Sequence, residues 1–182
     1  MPLTHGEAAD ALREISKTER RAFSAYGYKS AAPFLILWGC LWFAGYGATD
    51  LIPKLANWVW LAIVVIGTVG STVLGMRTGP GKARFSWRIF SIWLAALAAL
   101  SSIIAVMRPV SGAQIGAVIP LVVGWAYVVL GIWMGLRFVI AGLAIVALTL
   151  FGFFFLIAHF SLWMALVGGT TLIGTGLWLR SA

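Results

Sequence analysis

Few side chains in this sequence can do chemistry. The only histidines are His5 and His159, and the only cysteine is Cys40. His159 stands two residues before Ser161, so with Asp50 as an orienting acid the parts of a Ser–His–acid arrangement are nominally present. Nothing in the local sequence assembles them. A haem needs axial ligands, and one chain offers only His159 with a methionine, or His159 from two copies. One cysteine excludes an intrachain disulfide and a cysteine-built metal or iron–sulfur site. The expectation is a non-enzymatic protein with no catalytic residues, no metal and no cofactor.

Ionisable groups point the same way. The long apolar stretches carry no Asp, Glu or Lys near their centres. Asp50, Lys54, Arg77, Arg108 and Arg137 all stand at their ends. Proton pumps, voltage sensors and most ion-coupled transporters rely on buried ionisable side chains, which argues against all three. A retinal Schiff base would need a mid-membrane lysine, and there is none. The segment 78–88 reads Thr-Gly-Pro-Gly-Lys-Ala-Arg-Phe-Ser-Trp-Arg. Its Gly-Lys pair lacks the spacing of a phosphate-binding loop and follows no strand. Lys82, Arg84 and Arg88 are instead candidates for contact with anionic lipid headgroups, beside the plainer reading of a positively charged cytoplasmic loop.

Three further patterns remain. Small residues recur at four-residue spacing: Gly67, Ser71 and Gly75; Gly131 and Gly135; Ala165 and Gly169; Thr170 and Gly174. Such stripes let helix backbones approach closely, inside a bundle or at a homodimer seam, and internal packing is preferred. Hydroxyls lie beside them, among them Thr68, Thr72, Thr170 and Thr171. They would line a path for a neutral solute, or simply bond to carbonyls one turn back. There are ten tryptophans. Trp42, Trp93 and Trp125 fall nearest mid-membrane and are candidates to surround a hydrophobic cofactor or lipid, with plain packing as the preferred reading.

The elements that position these residues follow from composition. Of 182 residues, 62% are hydrophobic and 10% charged. Soluble domains run near 45–50% and about 25%, so the chain is an integral membrane protein. Six stretches are long enough for a transmembrane helix: about 31–49, 56–76, 88–107, 115–136, 138–158 and 161–179. The fold expected is an all-α bundle of six spans, residues 31–182, preceded by a cytoplasmic amphipathic helix within residues 1–30. With both termini inside, eleven of the thirteen basic residues are cytoplasmic and only Lys54 and Arg108 are not. This orientation suggests a bacterial inner membrane.

The amphipathic helix starts at a capping box, Thr4 and Glu7, and runs to about residue 28. Ala8, Ala11, Leu12, Ile15, Ala22, Phe23 and Tyr26 share one face, opposite Asp10, Arg13, Lys17, Arg20 and Arg21, the pattern of a helix lying on the leaflet. Glu19 falls inside the apolar face. It is expected either to meet Arg84 or Arg88, docking the helix on protein, or to reach headgroup water. Taken together, the sequence predicts a non-catalytic accessory subunit or regulatory partner. It would contact anionic lipids and a membrane-protein partner or further copies of itself, with no nucleic-acid role. A channel or facilitator for a neutral solute and a hydrophobic-cofactor or lipid-binding protein are the alternatives.

Overall fold

A computed structural model describes residues 5–78, 98–108 and 111–181. Every element among them is helical. They are α1 (His5–Leu51), α2 (Ala56–Thr78), α3 (Ala98–Met107), α4 (Gly112–Met134), α5 (Leu136–Phe155) and α6 (Ile157–Arg180). Five of them contain a stretch long and apolar enough to cross a membrane, with mean hydropathies from 1.4 to 2.6. The chain is thus an all-α, multi-pass, membrane-embedded protein. Of the third expected span, 88–107, only 98–107 is described, as the ten-residue apolar helix α3; residues 88–97 lie outside the described residues.

Two boundaries differ from the sequence reading. First, α1 does not stop near residue 30 but runs unbroken to Leu51 with Pro33 inside it. Proline removes one helical hydrogen bond, yet helices at membrane depth tolerate it when neighbours cover the freed carbonyl. Gly27 and Ser30 stand at the expected boundary, yet the helix runs through both. Second, α4 and α5 are separated by Gly135 alone. Its φ of 122° is a conformation side chains resist. Its N–H donates to the Gly131 carbonyl at 2.9 Å, and its own carbonyl accepts from Phe138 N–H at 3.1 Å. One residue therefore closes one helix and opens the next.

Helix pairing follows close backbone approaches. α4 lies antiparallel along α5, α1 along α6, α2 against α1, and α5 touches α6. A Cβ on Gly124 would stand 3.0 Å from the Gly142 carbonyl oxygen, and one on Gly142 would stand 2.7 Å from Val128 N. Across the α1–α6 seam, a Cβ on Gly39 would meet the Gly169 oxygen at 2.9 Å, and one on Gly176 the Ala32 oxygen at 2.9 Å. At these positions only hydrogen fits, so dispersion contacts run along the whole seam.

α6 is irregular. After a 3₁₀ turn (Ile157–His159) and one α turn (Phe160–Trp163) it widens into a π-helical stretch (Met164–Gly169), then resumes as α-helix (Thr170–Arg180). The widened part faces α1, where Gly169 lies against Gly39 and Phe43. The core formed by these seams runs from Tyr28, Ala32, Leu35 and Phe138 at one end to Trp42, Tyr46 and Phe160 at the other, with Leu172 between.

Candidate functional site

At one end of the bundle, Tyr46 of α1 joins three other helices. Its ring stands edge-on to Trp60 of α2 at 5.0 Å, to Trp42 of its own helix at 6.0 Å and to Phe160 of α6 at 6.3 Å. Its hydroxyl donates to the Gly116 carbonyl of α4 at 2.5 Å. That acceptor has a reason to be there. In an α-helix the carbonyl of residue 116 receives the N–H of residue 120, and residue 120 is a proline inside α4. Pro120 has no N–H, and Tyr46 supplies a replacement donor from another helix. Trp60 Nε1–H donates to Thr49 Oγ1 at 3.0 Å, fixing the indole beside it.

At the opposite end, Arg137 opens α5. Its Nη1 donates to the Trp178 carbonyl oxygen at 2.8 Å, and its guanidinium stands 5.0 Å from the Trp178 ring and 5.5 Å from the Tyr28 ring. Trp178 lies in the last turn of α6, where carbonyls lack helical donors; Ser181 Oγ donates to the same oxygen at 2.8 Å. Phe138, next to Arg137, stacks on Tyr127 at 5.9 Å and leans on Tyr28 at 5.5 Å. The two polar knots thus tie α1, α5 and α6 at one end and α1, α2 and α4 at the other.

A cleft of about 460 Å³ lies between the end of α3 and the α4–α5 pair. This is within the range of roughly 300–1,000 Å³ typical of ligand sites. Its floor is Ala117 and Thr149, both buried, and its exposed rim includes Met107, Leu150 and Phe154. The Thr149 hydroxyl donates to the Ile145 carbonyl at 2.7 Å and so leaves no free polar group on the floor. The polar residues stand at one end: Arg108 closing α3, and Gln114 in the first turn of α4. Ser111 and Gln114 form a capping box. Gln114 N–H donates to Ser111 Oγ at 3.3 Å, and Ser111 N–H to Gln114 Oε1 at 3.1 Å.

No family model, curated protein or solved structure matches the chain.

The stripes identified from spacing serve different purposes. Gly67 lies under the Trp38 indole, whose Nε1–H donates to Ser71 Oγ at 3.1 Å. Gly131 lies against the backbone of Phe138 and Val139, and Ala165 and Gly169 are buried against α1 and the core. Gly135 is the hairpin turn. A Cβ on Gly75 or Gly174 would meet nothing within 4 Å, so these two are outside the seams among the described residues. Three of the four hydroxyls turn onto their own helices: Thr68 to Val64, Thr72 to Thr68, Thr170 to Leu166.

The tryptophans considered for a cofactor are not gathered. Trp42 is 3% exposed in the core, whereas Trp125 is 53% exposed on the outer side of α4. Trp93 lies outside the described residues, as do Lys82, Arg84 and Arg88, the basic residues considered for Glu19 and for lipid headgroups. Glu19 itself is exposed. His159 and Asp50 are exposed and Ser161 half-buried, and no hydrogen bond joins the three. Among the described residues no three His, Cys, Asp or Glu side chains come together as metal ligands would.

Sequence reasoning missed Tyr46, the role of Arg137 and the Arg108–Gln114 end of the cleft. Two of these carried a signal. Ser111-x-x-Gln114 is a capping-box pattern. Pro120 within an apolar stretch announces a carbonyl at Gly116 in need of a donor.

Proposed function

We propose that this protein is a non-catalytic accessory subunit or regulatory partner that acts by binding a membrane protein or further copies of itself. The observation that carries the reading is the N-terminal part of α1. The apolar span within α1 is Ala25–Leu51, yet the helix begins at His5. Some twenty residues therefore extend about 30 Å past the span at 1.5 Å per residue. On this arm Ile15 is 55% exposed and Ala22 is exposed with it, and the stripe continues into the first turn of the span at Tyr26, 52% exposed. They lie on one helical face, interrupted by Glu19, with Glu14 and Thr18 beside it. An amphipathic helix with an uncovered apolar stripe fits a groove on a partner.

The rest of the molecule supports binding over transport. The hydroxyls of Thr68, Thr72 and Thr170 are bonded within their helices, which takes three of the four hydroxyls named for a neutral-solute path out of its polar lining. Six spans with both termini cytoplasmic, in a bacterial inner membrane, belong to the same reading. α2 runs from Trp60, beside Tyr46, toward Ser71, beside Trp38, and so heads for the Tyr28 end. α4 starts back at the Tyr46 end, where Gly116 meets Tyr46. An odd number of crossings between them reconciles the two, and α3 supplies an apolar helix there. In this orientation Lys82, Arg84 and Arg88 face anionic headgroups of the inner leaflet.

The test is native mass spectrometry of the full chain in a mild detergent. A reproducible complex of fixed stoichiometry is expected, lost in Ile15→Asp. A monomer without partner, or a complex indifferent to Ile15→Asp, overturns the reading.

A further inference from the structure

The geometry points to the cleft between α3, α4 and α5 as a seat for an anionic phospholipid, its phosphate at Arg108 and an acyl chain running down toward Leu121 and Leu150. The argument rests on how polarity is arranged along the cleft. From Gln114 to Leu121, α4 descends about 10 Å at 1.5 Å per residue. The polar side chains stand at the top of this path and the deeper lining is Ile104, Leu121 and Leu150, over the floor of Ala117 and Thr149. An apolar trench with polarity confined to the end where the helices terminate matches a lipid, which has one charged end and apolar chains. A polar solute would find no partner below the first turn.

The charge selects the kind of lipid. Arg108 is the only charged side chain among the described lining. It is exposed, and none of the described residues bonds its guanidinium. Its backbone has φ 44°, a conformation that side-chain-bearing residues seldom adopt. Its N–H donates to the Ile104 carbonyl at 3.1 Å, closing α3. A glycine would serve such a helix end with less strain. An arginine there places five donors at the mouth of the cleft, suited to bidentate contact with a phosphate. Met107 and Phe154, exposed on the rim, leave the trench open sideways to the bilayer, so a lipid enters without leaving the membrane.

None of the cleft's described lining residues belongs to the N-terminal arm or to the 78–88 segment, and the experiment keeps the three apart. The full chain in mild detergent is offered phosphatidylglycerol and phosphatidylcholine of identical acyl chains, and bound lipid is counted by native mass spectrometry. Phosphatidylglycerol should be retained about five-fold over phosphatidylcholine, the worth of one basic side chain near an anionic surface. Arg108→Gln should bring the ratio to one, Arg108→Lys should keep most of it, and Val118→Trp, which fills the cleft, should lower both lipids. Equal binding of the two lipids by the unaltered chain overturns the proposal. So does a preference untouched by Arg108→Gln but lost when Lys82, Arg84 and Arg88 become Gln, which would put the headgroup on that segment. Lipid binding unaffected by Val118→Trp overturns it as well, whatever the stability of the arginine variants. Partner masses are read in the same spectra, so failure here leaves the docking reading intact.

Discussion

Replacing Tyr46 with phenylalanine removes one oxygen and should cost more than a hydrogen bond inside a membrane protein usually does. Interhelical bonds in bilayers average about 0.6 kcal/mol, because the broken state finds other partners. Here the acceptor has none within its helix. The Gly116 carbonyl faces the ring of Pro120 where an N–H would be, and the Tyr46 hydroxyl stands 2.5 Å from it. A buried acceptor left unmet costs about 1–3 kcal/mol, so Tyr46→Phe should destabilise by about 1–2 kcal/mol. The ring contacts to Trp60 and Phe160 survive in phenylalanine, so packing loss adds little.

The proof is a double-mutant cycle with Pro120→Ala, which restores a helical N–H to Gly116. In that background Tyr46→Phe should cost only about 0.6 kcal/mol, a coupling near 1 kcal/mol. Thermal unfolding in detergent, followed by tryptophan fluorescence, reads it. At this chain length 1 kcal/mol moves Tm by roughly 2–4 °C. Equal Tm losses in both backgrounds would refute the replacement-donor account, whatever their size.

Two other predictions concern stability. Gly142→Ala should lower Tm, since overpacking the α4–α5 seam costs about 1–3 kcal/mol against a helix-propensity gain of at most about 1 kcal/mol. Gly174→Ala, with nothing within 4 Å of the new Cβ, should hold or raise Tm, and the opposite signs are the check. Arg137→Gln should cost about 1 kcal/mol, at the low end for a charge-assisted bond because the site is part-exposed. Arg137→Lys should recover only part of it, because an ammonium lacks the planar face that lies between Tyr28 and Trp178; full recovery in a thermal melt would mean that charge alone matters there.

Hydropathy located five spans because burial in lipid demands long apolar runs whatever the helices pack against. It could not say which helix meets which. Gly67, Ser71 and Gly75 have ideal spacing, yet Gly67 receives a tryptophan and Gly75 receives nothing among the described residues, while Gly39, Gly124, Gly142 and Gly176 make backbone contacts without having stood out. Spacing defines a face; the partner is chosen by shape along two helices at once. Gly135 shows another gap. It completed a GxxxG pattern with Gly131, but the pattern does not register that a helix ends there. The abutting spans at Leu136–Arg137 were the better clue, since a one-residue turn needs a glycine. The continuous α1 is not legible because a change from amphipathic to apolar character, with Gly27 and Pro33 beside it, looks like a boundary, although the helix passes through both.

The pairing of α1 with α6 sets an order of events during biosynthesis. α4 and α5 are neighbours in the chain and can zip together as soon as both leave the ribosome. The glycine face of α1, centred on Gly39, waits for Gly169 and Gly176. At 5–20 residues per second the interval is on the order of ten seconds. Throughout it, α1 sits in the bilayer with a bare small-residue groove that any passing helix of like pattern can occupy. Closing that ring is the last step of assembly, and the interval before it is when a neighbouring subunit, or a second nascent copy, competes with the chain's own final helix.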